Sequence, residues 1–182
     1  KTKSIYKEII IFIFMKKEVE KIENLISNLK TEISKVIIGQ KEVVDGFLIA
    51  LIANGHILVE GVPGVGKTTL VKTLAKVMGC DFSRIQLTAD LLPTDILGLT
   101  TFDKNKGFQT IKGPVFSNFV MADEINRSPG KVQSALLEAM EERQVTIGKE
   151  TFKLTPRFLV FATQNSMESL GTYPLPQAQL DR

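Results

Sequence analysis

Eight residues, Gly61-Val62-Pro63-Gly64-Val65-Gly66-Lys67-Thr68, fit the pattern G-x-x-x-x-G-K-[ST], and they constrain the fold of this 182-residue chain more than any other stretch. The three glycines let the backbone turn tightly enough for successive N–H groups to face phosphate oxygens, a concavity that larger side chains would block. Lys67 adds a mobile positive charge for the outer phosphates, and the hydroxyl of Thr68 suits coordination of Mg²⁺. The helix that follows adds the positive end of its dipole. Gly61, Pro63, Gly64, Val65, Gly66, Lys67, Thr68 and Thr69 are therefore the expected nucleotide-contacting set.

Such a loop works only between a buried strand and a helix. The run Ile57-Leu58-Val59 after Asn54-Gly55 suits a strand inside a parallel sheet. After the loop, Leu70, Val71, Leu74, Val77 and Met78 share one helical face, and Gly79 is placed to end the helix. Strand, glycine loop and helix thus follow in the order the chemistry requires.

Hydrophobic residues make up 43% of the chain and charged ones 24%, which suggests neither a disordered nor a membrane-embedded class and leaves room for one sizeable core. The net charge of +3 comes without a basic block interleaved with aromatics, so composition offers no case for a nucleic-acid partner. Cys80 and His56 stand alone, which leaves neither an intramolecular disulfide nor a His/Cys zinc site; a reducing, cytoplasmic setting is expected. His56 reads as a strand-edge residue and Cys80 as a small apolar filler.

The apolar run Ile9–Met15 is far shorter than the roughly 20 residues of a membrane span. Lys16-Lys17-Glu18 follows it directly, where a signal peptide would want small residues. Met15 is a candidate natural start, with residues 1–14 an extension outside the fold. Residues 15–35 then form an amphipathic helix through Val19, Ile22, Leu25, Ile26, Leu29 and Ile33. Residues 36–182 form the core, opening with a bend at Val36–Gln40 and a second helix over Lys41–Ala53.

Beyond the loop helix, strands are predicted at Arg84–Thr88, Phe119–Ala122 and Phe158–Thr163, with a helix capped by Ser128 and carrying Pro129 in its first turn. Two β-hairpins are predicted as well. One joins Thr100–Phe102 to Phe108–Ile111, and the other joins Gln144–Ile147 to Thr151–Leu154. Alternating strands and helices argue for an α/β fold, a three-layer sandwich around a parallel sheet.

Asp123 follows an apolar strand, so its carboxylate is expected at the carboxyl edge of the sheet, where it could hold Mg²⁺ together with Thr68. Glu124 comes next and could polarise a water molecule for in-line attack on a γ-phosphate. Asn165, just past the strand Phe158–Thr163, is expected at the same edge, either to orient that water or simply to close a strand.

Taken together, Ile38-Gly39-Gln40, the phosphate loop, Asp123-Glu124-Ile125-Asn126-Arg127, Ala162-Thr163-Gln164-Asn165 and Gly171–Pro176 through Gln179-Leu180-Asp181-Arg182 resemble the AAA+ ATPases of the MoxR family, whose core is often called AAA_3. The resemblance implies a P-loop NTPase that binds ATP and Mg²⁺. It also implies Asn165 as sensor 1, Ile38 and Gly39 beside the adenine, and the two hairpins as the helix-2 and pre-sensor 1 inserts. Arg182 matches the arginine finger offered to a neighbouring subunit, with Arg127 a second candidate. Such proteins resemble one another in forming homo-oligomeric rings, typically hexamers, and in remodelling protein partners that carry von Willebrand factor A domains.

The family pattern continues past Arg182 with a fifth core strand and a helical lid, neither of which this sequence contains. On that footing an exposed edge at Ile57–Glu60, a tendency to aggregate and impaired ATPase activity are expected. Two other readings are a nucleic-acid motor of the helicase-like clades and a nucleotide-gated binding module with little hydrolysis. The hairpin tip Thr101–Lys106 is not dominated by positive charge, which weighs against the motor. The presence of Glu124, Asn165 and Arg182 weighs against the passive module.

Overall fold

The computed structural model describes residues 19–60, 66–164 and 173. They fall into two compact units divided between Gln40 and Lys41. In the first, residues 19–34 form helix α1, and the chain then turns through residues 35–40. Gly39 (φ 82°) and Gln40 (φ 54°) both adopt the left-handed region there, which produces the bend expected at this point.

The second unit opens with α2 (Lys41–Ile52), which buries Val44, Phe47, Leu48 and Ala50 and leaves Ile52 exposed. Four strands form the central sheet: β1 (Ile57–Glu60), β2 (Phe82–Gln86), β5 (Phe119–Asp123) and β8 (Leu159–Gln164). They lie in the order β1-β8-β5-β2, every pair parallel. β5 and β8 are central and buried along nearly their whole length, which is why both read as unbroken apolar runs.

Alternation along β5 sends side chains to two layers. Val120 and Ala122 join Val160 and Ala162 of β8 in a cluster with Val132, Leu136 and Ala139 of α5 (Gly130–Glu142). Phe119 meets Phe47 of α2 edge to face, with ring centroids 5.3 Å apart. Helix α3 (Lys67–Val77) contributes Leu70, Val71, Leu74 and Ala75, all buried. The fold is therefore α/β with helices packed about a parallel sheet, as the sequence predicts.

Three local expectations are corrected. β2 runs over Phe82–Gln86 instead of 84–88, because Asp81 already pairs with Phe119 and the chain turns at Thr88, whose carbonyl accepts the Leu91 amide. Val77 is exposed, and the buried face of α3 ends at Ala75; Gly79 (φ 61°) does terminate the helix, with the Cys80 amide reaching back to the Ala75 carbonyl. Ser128 does not cap α5. It closes a 3₁₀ turn over Ile125–Arg127, its hydroxyl donating to the Ile125 carbonyl at 2.8 Å, and Pro129 stands at the helix cap.

Both hairpins form. Strands β3 (Gly98–Asp103) and β4 (Gly107–Lys112) pair antiparallel, and at the tip the Asp103 carboxylate accepts the Asn105 and Lys106 amides. At the root Gly98 and Gly113 pass so close to backbone that a Cβ on either would lie 2.2 Å from a carbonyl oxygen. Near the tip Phe102 and Phe108 pair edge to face at 5.1 Å, although they are 63% and 79% exposed. Strands β6 (Gln144–Ile147) and β7 (Glu150–Lys153) form the second hairpin, turning at Gly148 (φ 64°). Short helix α4 (Pro93–Leu97) leads into the first hairpin.

Candidate functional site

The register of the sheet brings the carboxyl ends of its strands to one edge. Glu60 pairs with Gln164, Ala162 with Ala122, and Asp123 with Gln86. Glu60 leads directly into the phosphate loop, of which Gly61, Pro63, Gly64 and Val65 lie outside the described residues. The loop re-enters at Gly66, whose φ of 77° suits glycine and whose carbonyl accepts the Leu70 amide at 3.1 Å. Gly66 is thus the N-cap of α3, and Lys67, Thr68 and Thr69 form its first turn. A helix does not use the amides of that turn in its own ladder, which suits the turn to an anion.

Asp123 ends β5 with its side chain only 12% exposed and both carboxylate oxygens engaged. Thr163 Oγ1 donates to Oδ1 at 3.1 Å, and Arg84 Nε donates to Oδ2 at 2.6 Å. Glu124 takes left-handed angles (φ 60°, ψ 53°), a conformation that costs a non-glycine residue about 1 kcal/mol or more. Two contacts hold it there. Its amide donates to Thr163 Oγ1 at 3.0 Å, and its Oε2 lies 3.0 Å from Arg127 Nε. Thr163 therefore braces both acidic residues, one by giving a hydrogen bond and one by accepting it.

The segment after Glu124 is stapled by Gln133, a buried α5 residue whose amide nitrogen lies within hydrogen-bonding distance of the carbonyls of Ile125, Ser128 and Tyr173. Sequence reasoning missed Arg84, Thr163 and Gln133. Arg84 stood out only as a charge inside a strand, and Thr163 as the polar end of an apolar run. Arg127, the second candidate for the arginine finger, pairs with Glu124 of its own chain.

Asn165 and Arg182 lie outside the described residues, although Gln164 carries β8 to the edge immediately before Asn165. The Gln164 Oε1 is buried there and has no hydrogen-bond partner among the described residues. Ile38 and Gly39 belong to the first unit, where Ile38 is 95% exposed. The donor set at the edge, a threonine hydroxyl in the first helical turn and a strand-end carboxylate, is the hard-oxygen chemistry that Mg²⁺ requires.

His56 is held elsewhere, ahead of the first residue of β1. Its Nδ1 accepts the Val160 amide at 3.0 Å, so Nε2 carries the proton and faces the Met140 carbonyl at 3.3 Å. Burial and the nearby Arg143 push its pKa down to about 4. It is a neutral structural residue.

A glycine-loop strand and helix, a strand-end Asp-Glu pair and a parallel sheet in this order define a P-loop ATPase core. Residues 56–182 match the model of AAA_3, "ATPase family associated with various cellular activities (AAA)", and the chain belongs to that family, with relatives of MoxR type. It is 55% identical over 152 residues to Chaperone MoxR1 of Mycobacterium tuberculosis, covering 83% of this chain and 40% of the relative. It is 50% identical over 164 residues to the uncharacterized protein YeaC of Bacillus subtilis, covering 90% and 51%. A Cytophaga hutchinsonii chain, solved at 2.00 Å as a candidate ATPase, superposes with a TM-score of 0.80 at 54% identity, covering 91% of this chain and 52% of that one. The chain spans about half the length of these curated relatives.

Proposed function

We propose that this chain supplies the nucleotide-hydrolysing core of a MoxR-type ring ATPase, which binds ATP with Mg²⁺ and uses its hydrolysis to remodel protein partners. The observation that carries the reading is the Asp123–Glu124 pair at the same sheet edge where β1 leads toward the glycine loop and α3. The backbone of Gly61–Gly66 and the first turn of α3 cradle the phosphates, and Lys67 neutralises the outer ones. Thr68 and Asp123 would hold Mg²⁺, which when bound would supply positive charge against the phosphoryl oxygens.

Glu124 takes up the proton of the attacking water, and Asn165 orients that water. Its left-handed backbone, held at the amide by Thr163, and its ion pair with Arg127 aim the Glu124 carboxylate before substrate arrives. Arg182 acts in the neighbouring subunit, which makes a ring, a hexamer by resemblance, the working form. The partners are proteins with von Willebrand factor A domains. A cleft of about 580 Å³ between the hairpins, walled by Phe108, Ile147 and Phe152 with Lys112 and Lys149 alongside, supports a protein-contacting role for these inserts. Among the described residues no helix is long and apolar enough to cross a membrane.

The test is phosphate release by the full-length protein, wild type and Glu124→Gln, with and without DNA. Turnover that falls at least 100-fold in the variant while nucleotide still binds supports the reading. Equal turnover in both proteins, or stimulation by DNA, overturns it.

A further inference from the structure

Arg84 fills none of the roles above, yet it makes a short contact with the Asp123 carboxylate. Its Cα lies opposite Met121, two residues short of the sheet edge, and Gln86 is the residue opposite Asp123. The side chain therefore reaches forward along the sheet to bring Nε within 2.6 Å of Asp123 Oδ2. On the way Nη2 donates to Gln86 Oε1 at 3.1 Å. The two ends of this ion pair differ in solvent contact: the Arg84 side chain is 50% exposed, that of Asp123 only 12%.

A nearly buried carboxylate needs a counter-charge, and the guanidinium supplies it. A dication held by the same carboxylate would face that guanidinium as a like charge. Arg84 is half in solvent, and Gln86 offers it a second acceptor outside the carboxylate, so it can withdraw without itself being stranded. Asp123 keeps its aim meanwhile, because Thr163 holds the other oxygen.

We infer that Arg84 is the resting counter-ion of Asp123, exchanged for Mg²⁺ when nucleotide binds, and that it thereby sets the Mg²⁺ concentration the site requires. The inference rests on Asp123 being the Mg²⁺ ligand proposed above. Arg84 is a positioning residue: it acts on metal loading through Asp123.

The test is binding of a fluorescent ADP analogue to the protein, titrated with Mg²⁺, for wild type, Arg84→Gln and Asp123→Asn. Arg84→Gln is expected to lower the half-saturating Mg²⁺ concentration by roughly three- to tenfold. It is also expected to lower the melting temperature in EDTA more than in saturating Mg²⁺ and ADP. A half-point that stays put or rises in Arg84→Gln, with wild type still Mg²⁺-dependent, overturns the counter-ion role alone. Wild-type binding that ignores Mg²⁺, or Asp123→Asn that binds like wild type, overturns the metal-site reading together with it. Should Arg84→Gln fail to fold, the Arg84 Nε–H resonance of the wild-type protein serves instead: it should move when Mg²⁺ joins bound ADP, and a fixed resonance overturns the exchange.

Discussion

Thr163 Oγ1 lies 3.1 Å from Asp123 Oδ1 and, on its other side, 3.0 Å from the amide of Glu124, so one hydroxyl at the end of β8 fixes two acidic residues at the end of β5. The proposed metal carboxylate and the proposed base are held in step by a strand that contributes no carboxylate of its own.

Replacing Thr163 with valine keeps the shape and removes both hydrogen bonds. A part-buried amide and a buried carboxylate oxygen lose their partner, and stability should fall by about 1–3 kcal/mol, read as a shifted denaturant midpoint. Turnover should fall by more than nucleotide affinity does, because the base loses its aim. Thr163→Ser should restore most of both; a valine variant with wild-type midpoint and turnover would remove Thr163 from the mechanism.

Lys67→Ala should weaken nucleotide binding by about tenfold or more, since it deletes a positive charge in the first turn of the phosphate-binding helix. Calorimetry with ADP and with ATP separates its share. A larger loss for ATP places the ammonium near the outermost phosphate, and equal losses place it further in.

His56 makes stability depend on pH. Its pKa is about 4 in the folded protein against 6.5 in an unfolded chain, so the unfolded state binds the proton more readily. Its contribution is complete above pH 6.5 and drains away as pH falls toward 4, amounting to about 3 kcal/mol at the acid end. Unfolding titrations at several pH values should show this slope in wild type and a flatter one in His56→Gln; parallel slopes would show that His56 does not report on folding.

Gly113→Ala should destabilise the root of the first hairpin, because the new methyl group would meet the Ile96 carbonyl oxygen at 2.2 Å. The expected loss is about 2–4 kcal/mol, or a displaced hairpin with faster amide exchange across β3 and β4. Gly130→Ala, where nothing lies within 4 Å of the added methyl, is the matched control and should be near neutral.

How much of this was legible in the sequence depends on the range over which each residue's meaning is set. β5 and α3 could be read directly, since burial on both faces or on one helical stripe leaves its own periodicity. Ser128-Pro129 misled because that pair looks like a cap and first turn, whereas the 3₁₀ turn after Glu124 claims the serine first. Glu124 could be suspected as a base from its neighbour Asp123, but its left-handed backbone depends on Thr163, 39 residues away. Arg84 was silent for the same reason: its partner lies 39 residues on and is defined only by strand register.

The first hairpin carries six residues on each strand, a reach of about 20 Å, and its exposed Phe102–Phe108 pair stiffens it close to the tip. It is anchored where two glycines leave no slack. Such an arm works as a rigid pointer: each ~10° of tilt at its root sweeps the aromatic end through about 3 Å. A displacement too small to disturb the packing beneath it would thus arrive at the tip as a stroke comparable to one residue of extended chain.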